Sequence, residues 1–206
     1  MYMIVTQITE LSKERSKVYI DQEFAFVLYK GELRLYRIQE GKELTADTYR
    51  TIMQEVLPKR AKLRAMNLLQ TKEYTTAQLR RKLCMGFYPE DIVQQALDYV
   101  ASYHYTDDLR YSVNYITCHE DDRSRRRIEQ DLYAKGIDKA TIENAWKVWE
   151  QQGGIQNEQK MIAKLLQKRN YDPEKTDLKE QQRLYAFLTR KGYSSDQIRK
   201  ALGSNT

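Results

Sequence analysis

Four arginines lie within five residues, at Arg123 and at Arg125 to Arg127, directly after an acidic pair. Guanidinium groups bind phosphate and carboxylate oxygens through paired hydrogen bonds, so this cluster could hold nucleic acid or an acidic protein surface. Ser124 fits a helix N-cap, which places the next three arginines at the positive end of the helix dipole. Cations there cost roughly a few tenths of a kcal/mol. The alternative is that neighbouring acidic side chains, such as Glu129, simply neutralise the cluster.

Residue types suited to a metal site occur just before and within this segment, at Cys118, His119, Glu120, Asp121 and Asp122. Adjacent ligands on one backbone rarely converge on one ion, and no second cluster completes a tetrahedral set, so no metal site is predicted. The sequence also lacks a glycine-rich phosphate loop and any Ser, His and Asp order that would pair a nucleophile with a base. We therefore expect a protein that is not an enzyme and needs no cofactor.

The composition is that of a globular protein with a highly charged surface. The chain has 206 residues, of which 31% are charged and 41% hydrophobic, and its net charge is +6. This modest basic excess permits phosphate binding without requiring it. An apolar run of membrane-spanning length and a signal segment are both absent from the sequence. Cys84 and Cys118 form no CxxC pattern, so a cytoplasmic location without disulfides is expected.

The first part of the chain predicts strands. Residues 1–44 form a β-rich segment in which apolar residues alternate, with a hairpin turn at Asp21 and Gln22 and a second turn at Gly31. Such a short meander must pack against the next part of the chain to be stable. Residues 45–60 predict a connecting helix that Thr45 caps and that ends near Pro58.

The rest of the chain predicts helices in a threefold repeat. Three twenty-residue segments align without gaps, "QLRRKLCMGFYPEDIVQQAL", "RIEQDLYAKGIDKATIENAW" and "RLYAFLTRKGYSSDQIRKAL". Their matched apolar positions are Leu79, Ile128 and Leu184; Leu83, Leu132 and Leu188; Val93, Ile142 and Ile198; Ala96, Ala145 and Ala201; and Leu97, Trp146 and Leu202. Gly136 and Gly192 would end the first helix in a left-handed conformation, whereas Gly86 comes one position early.

A further helix precedes each copy, so the repeated unit has three helices, at 61–106, 107–153 and 154–206. Thr75 with Gln78, and Ser194 with Gln197, match the capping box. We therefore expect a mainly α protein, with a short N-terminal β meander followed by three tandem three-helix repeats.

The motifs "LRRKLCMGF", "YTDDLRYSVNYI", "SRRRIEQDLYAKGI" and "FLTRKGYSSDQIRKAL", in this order, resemble the RecX family, the bacterial regulators of the recombinase RecA. The resemblance covers nearly the whole chain, although Ser124 stands where glycine is frequent. It implies an elongated, curved array of repeats that lies in the groove of the RecA–DNA filament. It also implies inhibition of filament assembly, ATP hydrolysis, strand exchange and repressor cleavage, and hence a part in DNA repair, homologous recombination and the SOS response.

The predicted contacts with a binding partner are basic side chains that the core does not use. Those on Arg81, Arg126 and Arg127 recur beside the same helix in two copies and predict a basic stripe. The full predicted set is Arg80, Arg81, Lys82, Arg123, Arg125, Arg126, Arg127, Lys135, Arg190, Lys191, Arg199 and Lys200. Candidate apolar anchors are Tyr88, Tyr103, Tyr105 and Tyr133, although aromatic residues at helical spacing more often belong to a core.

The expected partner is the RecA filament, with single- or double-stranded DNA bound weakly and the protein a monomer. The alternative is a helical repeat protein that binds nucleic acid without the recombinase. Phosphate contacts would make that binding strongly salt-dependent. Trp146 and Trp149 are predicted to pack in the core.

Overall fold

The structure is a computed structural model that describes residues 3–203, so the outer ends of the predicted segments 1–44 and 154–206 lie outside the described residues. The chain divides into two compact units, Met1–Asp107 and Asp108–Thr206. Within residues 3–203, no helix combines the length and the apolar composition that crossing a bilayer requires.

The first unit begins with a four-stranded antiparallel sheet in the order β3-β2-β1-β4. The strands are β1 (Met3–Glu10), β2 (Arg15–Ile20), β3 (Glu23–Tyr29) and β4 (Glu43–Leu44). Asp21 and Gln22 turn the chain between β2 and β3 with positive φ angles of 49° and 73°. Two consecutive left-handed residues are the geometry of a tight hairpin turn, so the predicted hairpin is confirmed.

The predicted second turn at Gly31 is wrong, because the chain forms the helix α1 (Lys30–Leu35) there. The Glu32 carboxylate accepts a hydrogen bond from the backbone amide of Tyr29 at 2.7 Å, which stabilises the start of the helix. The same carboxylate pairs with Arg60, which lies 28 residues further along the chain. This distant contact favours a helix where the local alternation favours a strand.

A long helical segment follows, formed by α2 (Ala46–Thr51), a π-helical turn (Ile52–Val56) and α3 (Leu57–Thr71). Thr45 caps it as predicted, since its hydroxyl accepts from the amide of Thr48 at 3.2 Å. Pro58, however, does not mark the helix end but lies buried in the first turn of α3. Proline has no amide hydrogen to donate to the carbonyl four residues earlier, and its ring clashes with that carbonyl. The wider π-helical turn before Pro58 accommodates both effects.

The sheet and the first repeat share one hydrophobic core. The helices α4 (Thr76–Cys84) and α5 (Glu90–Ser102) pack with α3, and Leu79 and Leu83 are buried in the same cluster as Val18 and Phe26 of the sheet. The sheet therefore does not stand alone, as expected of so short a meander.

The second unit contains the second and third repeats. Their helices are α6 (Asp108–His119), α7 (Arg125–Ala134), α8 (Lys139–Gln151), α9 (Glu158–Gln167), α10 (Leu178–Arg190) and α11 (Ser195–Ala201). The matched apolar positions are buried in all three copies, except that Ala201 is half-buried. Each repeat of this unit has its own core cluster, and Trp146 and Trp149 lie in that of the second repeat. The predicted repeats and the packing role of both tryptophans are confirmed.

The turn between the two repeated helices uses one left-handed residue at the same position in each copy. Gly136 and Gly192 have φ angles of 88° and 93° there, and in the first copy Phe87 takes this position with a φ of 63°. Gly86, one residue earlier, is required for a different reason. A Cβ atom on it would lie 2.9 Å from both the Leu83 carbonyl oxygen and the Tyr88 ring.

Replacing Gly192 with alanine should destabilise the second unit more than backbone strain alone explains. A Cβ atom at Gly192 would lie 2.4 Å from the Ser124 hydroxyl, whereas one at Gly153, which also has a positive φ, meets nothing within 4 Å. We expect Gly153→Ala to lower the free energy of unfolding by about 1–2 kcal/mol. Gly192→Ala should cost about 1–3 kcal/mol more, because it disrupts buried hydrogen bonds. Urea unfolding followed by tryptophan fluorescence measures both, and equal losses would contradict the close contact.

Candidate basic binding cleft

A cleft of about 510 Å³ lies in the second unit, between the start of α7 and the end of α10. Its lining residues are Asp122, Arg123, Arg127, Phe187, Arg190, Lys191 and Tyr193. Four of these seven side chains are cationic and one is acidic, so the cleft is suited to an anionic group. It brings together four of the residues predicted from the sequence.

The hydroxyl of Ser124, which is fully buried, joins the start of α7 to the end of α10 across this cleft. This hydroxyl accepts from the amide of Arg127 at 3.3 Å, as the predicted N-cap requires, and donates to the carbonyl of Lys191 at 2.8 Å. One side chain thus caps α7 and satisfies a carbonyl at the end of α10. The cationic side chains of both helix ends are thereby held at the same opening.

Polar side chains from the third repeat hold the same junction together. The Gln156 amide donates to the carbonyls of Glu120 and Arg123, at 3.1 and 2.8 Å. The Glu158 carboxylate accepts from the amide of Arg125 at 2.7 Å and from the side chain of Gln197 at 2.5 Å. An acid near the start of α7 also suits the positive end of its dipole.

Asp131 fixes the arginines on the α7 side of the cleft. Its carboxylate accepts from Arg123 at 2.7 Å and pairs with Arg127 at 3.1 Å. Burial is the largest single influence on Arg123 and acts against its charge, but the hydrogen bond to Asp131 together with the charges of Tyr115, Asp131 and Asp122 raises the pKa of this guanidinium. Arg123 also donates to the hydroxyl of Tyr115 at 2.6 Å. Burial first, and then the charge of Asp131, raises the pKa of Tyr115 above its ordinary value.

The arginine cluster is partly neutralised, by acids close in sequence and by one acid from another helix, Glu150. Arg125 pairs with Glu129 at 3.1 Å and with Glu150 at 3.4 Å, and its guanidinium lies 4.5 Å from the centre of the Trp146 ring. Glu120 instead accepts a hydrogen bond from Trp149. Within residues 3–203, Arg126 is the member of the cluster without an ion-pair partner.

The α10 side of the cleft provides the uncompensated charge. Arg190 and Lys191 are exposed and have no ion-pair partner in the described part of the chain. The ring of Phe187 lies beneath Lys191 and Arg169, with the Lys191 ammonium at 5.8 Å and the Arg169 guanidinium at 3.9 Å from its centre. Cations over an aromatic face are held without losing their charge.

The other predicted contact residues do not line this cleft. Arg199 pairs with Asp196 at 3.0 Å, Lys200 is exposed, and the Lys135 ammonium lies 5.1 Å from the Tyr115 ring centre. In the first unit, Arg80 pairs with Glu90 and Gln94, whereas Arg81 and Lys82 are exposed.

Among the candidate anchors, Tyr103, Tyr105 and Tyr133 are about half exposed and Tyr88 is half-buried. Tyr103 and Tyr105 stack on each other with their ring centres 5.9 Å apart.

Sequence reasoning missed Asp131 and Phe187, two residues that shape the cleft. Asp131 could have been found, because Arg127 and Asp131 are four residues apart on one helix and such pairs are neighbours on its surface. Phe187 accompanies the core leucines of α10 in the sequence, and only the packing of the third repeat on the second shows that its ring lines a cleft.

The free energy of unfolding should depend on pH through Tyr193, which is 3% exposed. Burial, followed by the charges of Glu158 and Asp122, raises the pKa of its hydroxyl to about 12. In the unfolded chain this pKa is about 10, so the folded state keeps a proton that the unfolded state releases. The stabilisation is complete below about pH 10 and is lost as the pH rises towards 12, by at most about 3 kcal/mol.

Urea unfolding between pH 9 and 12, with tryptophan fluorescence as the signal, measures this loss. Tyr193→Phe should remove part of the pH dependence, and the exposed Tyr133→Phe should not. An unchanged pH profile in Tyr193→Phe would show that this hydroxyl titrates normally.

Sequence comparison identifies relatives along nearly the whole chain. Models of the first, second and third three-helix domains of RecX match residues 61–99, 107–145 and 156–202. A protein of Caldanaerobacter subterraneus named regulatory protein RecX is 30% identical over 97% of this chain and 98% of its own length. A protein of the same name from Clostridioides difficile is 26% identical over 97% of this chain and 94% of its own.

Solved structures have the same fold. A crystal structure of regulatory protein RecX matches with a TM-score of 0.64, at 23% identity, over 98% of this chain and all of the other. RecX from Lactobacillus salivarius matches with a TM-score of 0.56, at 20% identity, over 72% of this chain and 96% of its own. The domain matches cover more than half of the residues and follow the three repeats in order, so this chain belongs to the RecX family.

Proposed function

We propose that this protein binds in the groove of the RecA–DNA filament and inhibits filament assembly, ATP hydrolysis, strand exchange and repressor cleavage. Membership of the RecX family supports this proposal, and the curated relatives are named regulatory proteins. In this proposal it acts in the cytoplasm as a monomer, without a cofactor and without catalysing a reaction. DNA within the filament is a secondary, weak contact.

The observation that carries the proposal is the cleft of the second unit, where Arg190 and Lys191 are exposed beside Arg127 and have no ion-pair partner among residues 3–203. A filament of recombinase on DNA presents both phosphate and carboxylate groups, and a guanidinium beside an ammonium can bind either. Arg81, Lys82, Arg126 and Lys200 offer further exposed charge for the same partner.

Five of the other predicted contacts, Arg80, Arg123, Arg125, Arg127 and Arg199, already have acidic partners within the protein. A partner would have to share or replace these ion pairs, so they contribute less affinity than the unpaired cations and mainly hold the surface in shape.

Inhibition follows from where such a surface would bind. Tandem helical repeats present extended binding surfaces, so one molecule would contact more than one recombinase protomer. A molecule in the groove would occupy the space that a second DNA or the repressor needs. It would also oppose any change in the spacing of the protomers during ATP hydrolysis.

The test is DNA-dependent ATP hydrolysis by the RecA of the same cell on single-stranded DNA, with this protein titrated in at two salt concentrations. We expect inhibition at far fewer molecules than recombinase protomers, persisting at the higher salt. Arg190→Glu with Lys191→Glu should raise the concentration for half inhibition about tenfold or more, because reversing two contact charges costs on the order of 1.4 kcal/mol or more.

The matched control is Lys147→Glu with Lys164→Glu, which makes the same charge change on exposed residues of the same unit outside the cleft. The concentration for half inhibition should stay within about threefold of that of the unmodified protein. This is less than the tenfold change to which about 1.4 kcal/mol corresponds. Inhibition that needs enough protein to coat the DNA and that vanishes with salt would instead indicate competition for phosphate. That result would favour a stand-alone nucleic-acid-binding protein.

A further inference from the structure

A second cleft, of about 430 Å³, lies in the first unit where the sheet meets the first repeat. Arg15 of β2, Arg64 of α3 and Lys82 of α4 line it from three different elements. The remaining lining residues are Tyr29, Met85, Gly86 and Tyr88. Three cations therefore share this opening, and none of these lining residues is acidic.

The three cations have no ion-pair partner among residues 3–203, whereas the neighbouring Arg60 is fully engaged. Arg60 pairs with Glu32 and donates to the carbonyl of Val27 at 3.0 Å. Like charges at one opening repel each other, so this arrangement costs free energy unless an anion joins it.

Two of these three cations, Arg15 and Arg64, act on the hydroxyl of Tyr88, which lines the same cleft. Burial raises the pKa of Tyr88, while Arg60, Arg64 and Arg15 each act in the opposite direction. Two guanidinium groups from the lining, carried by a strand and a helix, therefore lie near one phenol. A phosphate oxygen could accept hydrogen bonds from both, since paired donors of this kind suit phosphate.

This cleft lies at the same place in its repeat as the cleft of the second unit, and its cations stand at different positions. When the first and third repeats are aligned, four residues that line the first-unit cleft match four residues that line the second-unit cleft. Lys82, Met85, Gly86 and Tyr88 correspond to Phe187, Arg190, Lys191 and Tyr193. The end of the middle helix and the turn after it thus form one wall in both units. The opposite wall is the sheet with α3 in one unit and the start of α7 in the other.

We propose that the cleft of the first unit binds the phosphodiester backbone of single-stranded nucleic acid. Two cationic clefts at the matching place of two repeats suit a polymer that repeats the same charged group. The cationic lining favours phosphate over a protein surface, whose tight binding depends on buried apolar anchors. Tyr29, which is 40% exposed and has the Arg60 guanidinium 4.8 Å from its ring centre, adds an aromatic ring of the kind on which unpaired bases stack.

This inference rests on the DNA contact of the proposed function, to which it gives a site, and it is tested without any recombinase. The full chain is titrated with a fluorescently labelled oligothymidine of fifteen nucleotides, and binding is followed by anisotropy over a range of salt concentrations. Arg15→Ala, Arg64→Ala and Lys82→Ala are combined in one variant. We expect its affinity to fall by tenfold or more at low salt. The slope of log K against log salt should become shallower by about 2, since each phosphate contact on a single strand contributes about 0.7.

The control variant combines Arg34→Ala, Arg37→Ala and Lys42→Ala, which removes the same charge from exposed residues of the same unit outside the cleft. Its slope should equal that of the unmodified protein. Circular dichroism melting of both variants checks that the fold is kept, and Lys82→Ala alone, at an exposed position, should still reduce the slope by about 0.7.

Equal losses in the two triple variants would show that net charge alone attracts the oligonucleotide and would overturn the site. An unchanged slope in the cleft variant would do the same. If poly-glutamate, measured in parallel, loses affinity for the cleft variant while the oligothymidine does not, the cleft binds acidic protein rather than nucleic acid. Because RecA is absent, none of these results depends on the outcome of the ATP hydrolysis test.

Discussion

The buried hydroxyl of Ser124 is the contact on which the arrangement of the second unit depends. It joins residues 67 positions apart in the sequence, because it accepts from the α7 amides and donates to the carbonyl of Lys191. The approach is close enough that only a residue without a Cβ atom fits at position 192. A buried hydroxyl with both roles satisfied fixes the orientation of its two helices, since leaving either group unpaired would cost about 1–3 kcal/mol. The cleft and its cations follow from this orientation.

The cations of the protein fall into two classes with different physical roles. Arg60, Arg123 and Arg125 contact acidic and aromatic side chains of distant segments, and they stabilise the packing of one element on another. Arg190 and Lys191 contact no acid in the described part of the chain and keep their charge available. A count of arginines in the sequence does not separate these classes, because membership depends on which acids the fold brings near.

The sequence predicts those features that depend on neighbours a few residues apart. The matched core positions of the repeats, the caps at Thr45, Thr75 and Ser194, and the left-handed glycines all follow from helical periodicity and first-turn hydrogen bonds. The prediction fails at Gly31 and Pro58, where contacts with distant residues and a π-helical turn decide the conformation.

The candidate sites were predictable only in part, for the same reason. The arginine cluster and the end of α10 could be identified as basic, and Asp131 could have been placed from its helical spacing to Arg127. Arg15 and Arg64 belong to a strand and a helix outside the aligned segments, so neither repetition nor local spacing indicates that they meet.

The sheet packs against the first repeat in the role that the second repeat has for the third. A helical repeat cannot bury its apolar faces alone, and the end of an array needs a cap that differs from the repeat itself. Val18 and Phe26 provide that cap by joining the core of the first repeat. Both clefts then form where the end of the middle helix and the turn after it face another part of the same unit, the sheet with α3 in the first unit and the start of α7 in the second. Met85, Arg190 and Lys191 are exposed, so substitutions there change the charge of a cleft without disturbing the core. Gly86, Gly192 and Tyr193 of the same turns are fixed by close packing.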